Sequence, residues 1–520
     1  MKKILSYIAA LAVLIASTGC DALNLEPVSS ITDANYWKND THFSAYSNGI
    51  YSQFRTRGFN FYALGELRGD MYRDQPFGGE ASQGWEMLPL NSINAQSVGI
   101  SNYANLYPVI NSANLLIAKT EASTSLSDTE KSIYLGEAYG LRAYMYFHLL
   151  RSWGNVILHT DFTSGQTLDL ANLEKAASGE TEVMAQIKSD IEASEKAYGS
   201  AMNFAKGRNR WSPVATKMLK GEVYLWSGAR LNGGTADYQT AKTALEAVKN
   251  ADVALLPDFF SVFAFGNKCN KEIIFAIHNE KDEASLWGGT YSSLFVPQKG
   301  YFGNYCNADG VAFSQTAESQ LSGIIRLGIT KEVYSQGFRE GDSRIHSLIG
   351  VYQKDAATGN INYVSCIGNK YRGTMVDGSD VRNWLDDQPI YRYSDCLLTL
   401  AFVKAMMGED PSGEINEVRE RAYGKEYFQA HRNELAYPND NGDFYSGNIF
   451  AKADNAGAID AVLKERFREF MFEGKRWYDL RTAGLKYVQA HSYADANRLL
   501  WPIDANTLTN NRALKQTPGY

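Results

Sequence analysis

Apolar residues recur at three- and four-residue steps along several long stretches of the chain. Leu135, Ala138, Tyr139, Met145, Tyr146, Leu149 and Leu150 fall on one face at that spacing, which predicts a buried helix face. Trp211 to Leu231 repeats the pattern. Ser212-Pro213 offers it an N-cap and a first-turn proline, and Gly233-Gly234 follows its end. Tyr238 to Lys249 predicts a further helix behind it, and Pro389 to Met407 and Ala458 to Leu480 predict two more. Strand-like runs are few; Glu272 to His278 is one.

Two of these helices carry the same tetrad. Gly136-Glu137-Ala138-Tyr139 and Gly221-Glu222-Val223-Tyr224 both read Gly-Glu-x-Tyr, each followed by an apolar face. In tetratricopeptide repeats a small residue with an aromatic three positions later sits where paired helices touch. Long irregular segments separate the helices: Gly65 to Gly99, Leu286 to Gly310 and Lys354 to Gln388. The first two are rich in Gly, Asn, Gln and Ser and the third carries Gly and Asp clusters with Trp384, yet all hold aromatics, in which disordered chain is poor. They are expected to be ordered loops laid over a helical core. The fold class is therefore mainly α, with tetratricopeptide-like helix pairs packed against an irregular, loop-rich half containing few short strands.

The first residues change the picture. Lys2 and Lys3 precede an apolar run from Ile4 to Ala16, too short for a membrane span, which takes about 20 residues. Residues 1–19 are expected to be a cleavable signal. Ser17-Thr18-Gly19-Cys20 resembles a lipobox, with Ser17 where Leu is usual, so Cys20 is the expected lipid-attachment residue. Residues 20–520 are read as one domain: 20–250 with most repeat helices, 251–520 loop-rich with closing helices. Cys269, Cys306, Cys366 and Cys396 are widely spaced and are expected to be mostly free, buried thiols.

The formal net charge of −7 gives no reason to expect nucleic-acid binding, which favours clustered Lys and Arg. No G-x-S-x-G, P-loop or H-E-x-x-H is present, and the seven histidines are scattered. No cofactor and no metal is expected. Asp377-Gly378-Ser379-Asp380 and Asn439-Asp440-Asn441-Gly442-Asp443 lack the full calcium-loop pattern and read as turns. Glu465, Glu469 and Glu473 fall at four-residue steps among Arg466, Arg468 and Arg476. A glycosidase needs two carboxylates across a cleft, but such offsets fit an ion-pair network better.

Several segments, in order, resemble the SusD/RagB family. They include Tyr36-Trp37, Asn48-Gly49-Ile50-Tyr51, and Glu137-Ala138-Tyr139-Gly140-Leu141-Arg142-Ala143-Tyr144-Met145-Tyr146-Phe147. Pro389-Ile390-Tyr391-Arg392-Tyr393-Ser394-Asp395 resembles P-x-x-R-x-A/S-E/D. Glu465-Arg466 with Glu469, then Glu473-Gly474-Lys475-Arg476-Trp477-Tyr478-Asp479-Leu480-Arg481, resembles a further block. Trp501-Pro502-Ile503-Asp504 through Thr517-Pro518-Gly519-Tyr520 resembles the family ending, with Asp504 and Thr517 departing from it.

The resemblance implies four helix pairs against a loop-rich half. It implies a glycan-binding, non-enzymatic lipoprotein on the outer membrane, facing outward. Its implied partners are an oligosaccharide and a SusC-like TonB-dependent outer-membrane transporter. The acids that usually follow the lipidated Cys shrink here to Asp21, which weakens the expectation of surface display.

Ligand contact is expected from aromatics beside polar groups in two loops. A sugar ring buries its C–H face on an aromatic at about 25 cal/mol per Å², and polar groups pair its hydroxyls. The first loop holds Arg68, Asp70, Arg73, Gln83, Trp85 and Glu86; the second holds Trp287, Tyr291, Tyr301 and Tyr305 with Gln298 and Asn304. The expected ligand residues are Asp70, Arg73, Trp85, Trp287, Tyr291 and Tyr301. Peptide capture, an exported hydrolase and a structural repeat protein are the other readings.

Overall fold

The computed structural model describes residues 36–73, 80–99, 103–163, 173–286, 294–440 and 457–520. The N-terminal part is built from helices α1 (Asp40–Arg55), α2 (Gly58–Glu66), α3 (Tyr107–Ala122), α4 (Asp128–Trp153), α5 (Glu180–Tyr198), α6 (Pro213–Arg230) and α7 (Gly234–Lys249). Their ends follow local chemistry. Ser127 and Glu130 close a capping box on α4, satisfying two orphan N–H groups reciprocally. Ser212 caps α6, its hydroxyl accepting from Ala215 N at 3.1 Å, with Pro213 in the first turn.

Helix α4 packs on α3 and α5, and α6 packs on α7. The shared tetrad explains how closely. A Cβ on Gly136 would lie 2.4 Å from the Tyr198 ring of α5, and one on Gly221 would lie 2.5 Å from Leu245 of α7. Both glycines let helices approach, as in tetratricopeptide pairs. Gly136→Ala is expected to cost about 1–3 kcal/mol through overpacking. Urea unfolding checks this, and Tyr198→Ala in the same chain should return part of the loss.

The C-terminal part holds α8 (Tyr393–Met407), α9 (Ser412–Tyr423), α10 (Ala458–Phe470), α11 (Arg476–Ala483) and α12 (Leu485–His491). Strands form three antiparallel pairs: β1 (Tyr72–Arg73) with β3 (Gly328–Ile329), β2 (Ile273–Ile277) with β6 (Gln388–Arg392), and β4 (Leu348–Lys354) with β5 (Ile361–Gly368). One hydrophobic cluster runs from Phe43 to Leu514, through both parts.

Two expectations need correction. Pro389 to Met407 is not one helix: Pro389–Arg392 lies in β6, because Gln388 to Arg392 bonds to β2 before α8 begins. Ala458 to Leu480 is broken at residues 471–475, where Phe472 (φ 65°) and Gly474 (φ 73°) turn the chain. A Cβ on Gly474 would lie 2.8 Å from the Tyr62 backbone, so α2 docks directly on this turn. Cys269 is exposed, while Cys306, Cys366 and Cys396 are buried; all four are free.

The charged block is a buried network. Glu469 binds Arg344 at 3.2 Å, Arg392 at 2.6 Å and also Arg421; Glu465 binds Arg344 at 2.6 Å and Arg419 at 2.8 Å. Glu473 lies past the end of α10 yet still joins Arg392 at 2.8 Å and Lys370. Glu272 pairs Arg392 and Arg421 at 2.8 and 3.0 Å. These carboxylates are buried and share their cations, Arg344, Arg392 and Arg421 each joining more than one of them.

Candidate functional site

Strand β1 follows α2, and its direction is fixed from beneath. Tyr72 is buried and donates its hydroxyl proton to Glu66 at 2.6 Å. Glu66 also accepts from Phe472 N at 2.8 Å and Gly474 N at 2.6 Å. Burial pushes the Glu66 carboxyl up to about 7, against these hydrogen bonds. Side chains alternate along a strand, so a buried Tyr72 puts the next residue, Arg73, on the outside.

Arg73 there lines an open cleft of about 500 Å³. Its floor and walls come from Asp70, Pro89 and Leu90, from Thr330 and Glu332 after β3, and from Gln489 to Tyr493 at the end of α12. Tyr493 is 77% exposed, the most exposed of the large apolar side chains described. Leu90 on the same cleft is also exposed. The Arg73 guanidinium enters no ion pair among the described residues, and Arg73 is among the residues that line the cleft. An exposed ring, the Arg73 side chain, and those of Gln489, Ser492 and Glu332 thus line one concave surface. Ligand sites combine these features.

Asp70 behaves differently from Arg73. Arg476 grips its carboxylate through two bonds, at 2.8 and 2.7 Å, and His491 Nδ1 lies 2.8 Å away. Burial alone would raise this carboxyl, but Arg476 and His491 outweigh it and hold it well below the usual range. Asp70 therefore fixes the cleft wall, joining β1's approach to α11 and α12.

Trp85 and Tyr301 are not among the residues that line this cleft. Trp85 is partly buried and packs edge-on against Phe59, with centroids 5.9 Å apart. Tyr301 is 39% exposed. It lies near Tyr305, whose hydroxyl is pushed up by burial and then by Glu80 and Tyr301. Trp287, Tyr291 and Cys20 lie outside the described residues. Arg68, counted in the first loop, is fully buried and corrected to a structural role. Its guanidinium donates to Asn91 Oδ1 at 2.6 Å, to Leu499 O and Leu500 O at 3.2 and 2.8 Å, and to Arg498 O.

Sequence reasoning missed Tyr493. Its available signal was an aromatic in a polar stretch, His491-Ser492-Tyr493-Ala494-Asp495, just past a helical pattern. Such a residue has no apolar face to join.

A helix-pair scaffold that carries an open, aromatic-rimmed cleft on irregular loops defines a binding protein of the helical-repeat class. Comparison with known proteins places it further. Residues 344–482 match the SusD family, and residues 31–211 match a family described as starch-binding and associating with the outer membrane. The structure superposes on B. fragilis NanU with a TM-score of 0.91 and 55% identity, covering 95% of this chain and 100% of that one. It superposes on a SusD superfamily protein from Bacteroides vulgatus with a TM-score of 0.89 and 54% identity, covering 93% and 100%. The starch-binding protein SusD of Bacteroides thetaiotaomicron is 23% identical, over 80% of this chain and 78% of its own. The chain belongs to the SusD family.

Proposed function

We propose that this protein captures oligosaccharide in the Arg73–Tyr493 cleft and delivers it to a TonB-dependent outer-membrane transporter, held to the membrane by lipid on Cys20. The observation that carries the capture step is that the exposed Tyr493 ring and Arg73 line one cleft. The ring offers a stacking face, and the guanidinium with Gln489 and Ser492 offers hydrogen bonds to hydroxyls. Tyr301 and Trp85 extend the candidate contacts, Trp287 and Tyr291 remain part of the proposal, and Asp70 positions the wall. The family names point the same way, since a starch-binding relative shares the architecture. No covalent step is assigned: the carboxylates of the C-terminal block are each tied to cations inside the fold.

Losing about 80 Å² of C–H burial on the ring costs about 2 kcal/mol. Tyr493→Ala is then expected to weaken binding about thirtyfold, with unfolding unchanged. The measurement is calorimetric binding of residues 21–520 to plant, host and microbial glycans, with a peptide mixture as control. Binding to peptides alone would transfer the cleft to peptide capture. Release of product would make the protein a hydrolase.

A further inference from the structure

A second cleft, of about 300 Å³, opens between α1, the 209–210 turn and β2. Its floor is apolar: Phe54, Phe275 and Ile277, all buried. Its rim carries polar groups from separate chain segments: Asn48, Ser52, Arg55, Asn209, His278 and Glu283.

The rim is held in place from behind. Arg210 is fixed by Glu137 at 2.7 and 3.1 Å and by Asn48 Oδ1 at 2.5 Å, and it lies 4.1 Å over the Tyr51 ring. Among the described residues Arg55 donates only through Nη1, to Glu283 at 2.8 Å and to His278 O at 3.3 Å. His278 is bound in turn to Asp387 at 3.1 Å.

Hydrogen-bonding capacity remains on this fixed frame. Among the described residues, the Asn209 carboxamide and the Ser52 hydroxyl make no side-chain hydrogen bond. Arg55 keeps Nε and Nη2, and Asn48 keeps its amide nitrogen. Carboxamides and hydroxyls both donate and accept, as sugar hydroxyls do. A preorganised polar rim over an apolar floor lowers the ordering cost of binding.

Charge and size narrow the ligand. An anion would meet Glu283 at the rim and Glu137 behind Arg210, and a cation would meet two guanidinium groups. The volume sits at the low end of the usual range of about 300–1,000 Å³. We propose that this cleft is a second site, separate from the Arg73 cleft, for a single neutral sugar unit. Two sites on one chain would hold a long or branched glycan at two points, raising avidity without new contacts.

The test is saturation-transfer NMR on the full mature chain with glucose, galactose, mannose and N-acetylglucosamine. Three proteins are compared: Tyr493→Ala, Ser52→Trp and both together. Ser52 is exposed on α1, so a tryptophan there enters the cleft from its rim and covers the apolar floor without displacing a buried side chain; thermal unfolding confirms the fold. At least one sugar should keep its transfer signal in Tyr493→Ala and lose it in the double variant. No signal in Tyr493→Ala, or a signal there that Ser52→Trp leaves intact, overturns the second site. A signal present in Ser52→Trp and absent from Tyr493→Ala does so while supporting the first cleft. Absence of signal in Ser52→Trp alone would instead count against the Arg73 cleft as a monosaccharide site.

Discussion

Replacing Glu469 with alanine is expected to lower folding stability by roughly 3–5 kcal/mol, the cost of leaving buried charges unpaired. Glu469 is fully buried and touches three guanidinium groups, on Arg344, Arg392 and Arg421. Those arginines keep other partners, Glu465, Glu473 and Glu272. Their positive charge would nevertheless exceed the negative charge beside them, in a place water cannot reach. Glu469→Gln should be milder, since it keeps the shape and an acceptor oxygen. Urea unfolding followed by circular dichroism measures both, and a midpoint unchanged in the alanine protein would refute the structural role given to the network.

The same network sets a direction with pH. Burial raises the Glu465 carboxyl, but Arg344, Arg419 and Arg468 outweigh it and hold it down at about 2. Glu222, in a separate buried pair with Arg151, is likewise held at about 2, by Arg151 and Lys475 against burial. A carboxylate whose folded value lies below its unfolded one, about 4.3, stabilises the fold fully above that unfolded value. The contribution fades as pH falls from about 4.3 through about 2, and each group is worth about 3 kcal/mol. Urea midpoints should therefore fall steeply below pH 4 in the parent chain. The fall should be shallower in Glu465→Gln; equal slopes would contradict this account.

Arg68→Met is the second large effect. Arg68 lies with its guanidinium 4.4 Å from the Trp477 ring centroid and 5.3 Å from that of Trp501. It donates to three consecutive carbonyls, of Arg498, Leu499 and Leu500. No Asp or Glu pairs with it among the described residues, and burial pushes the guanidinium down to about 10. Methionine keeps much of the volume but removes every donor to these part-buried carbonyls, at up to about 1–3 kcal/mol for each that water does not reach. The loss should be local. Limited proteolysis is expected to cut after residue 491 many times faster in the variant, while the helix pairs stay resistant. Uniform sensitivity across the chain would show that Arg68 does not act as a tie for this segment.

The helices were legible in the sequence because each buries one periodic face, and Ser127, Ser212 and Pro213 mark their starts. The Gly136 and Gly221 tetrads carried even the close helix contacts. Two boundaries misled. Pro389–Arg392 is apolar enough to pass for a first helical turn, and only pairing with β2, more than a hundred residues earlier, makes it a strand. The break at 471–475 is set by α2 docking on Gly474, a contact invisible to periodicity. In the candidate cleft, Arg73 was legible as a charged residue in a loop with aromatics. The locking of Asp70 was not, because Arg476 and His491 approach it from the far end of the chain. Arg68 shows the limit of composition: an arginine in a glycine-rich loop looks available to a ligand until its carbonyl partners, some 430 residues away, are known.

That distance has a consequence for the order of folding. Arg344 reaches Glu465, Glu272 reaches Arg392 and Arg421, and Arg68 reaches residues 498–500. Contacts so far apart in sequence are slow to form, since long loops must close first. A chain cut before Glu465 would lack carboxylates that Arg344, Arg392, Arg419 and Arg421 need in the interior. Its helix pairs could form, but the interior would not close over them. Until the last residues emerge, the apolar faces stay open to neighbours, and aggregation competes with completion. The C-terminal stretch is therefore the clasp of the whole molecule, and early termination should yield insoluble chain rather than a shorter binding protein.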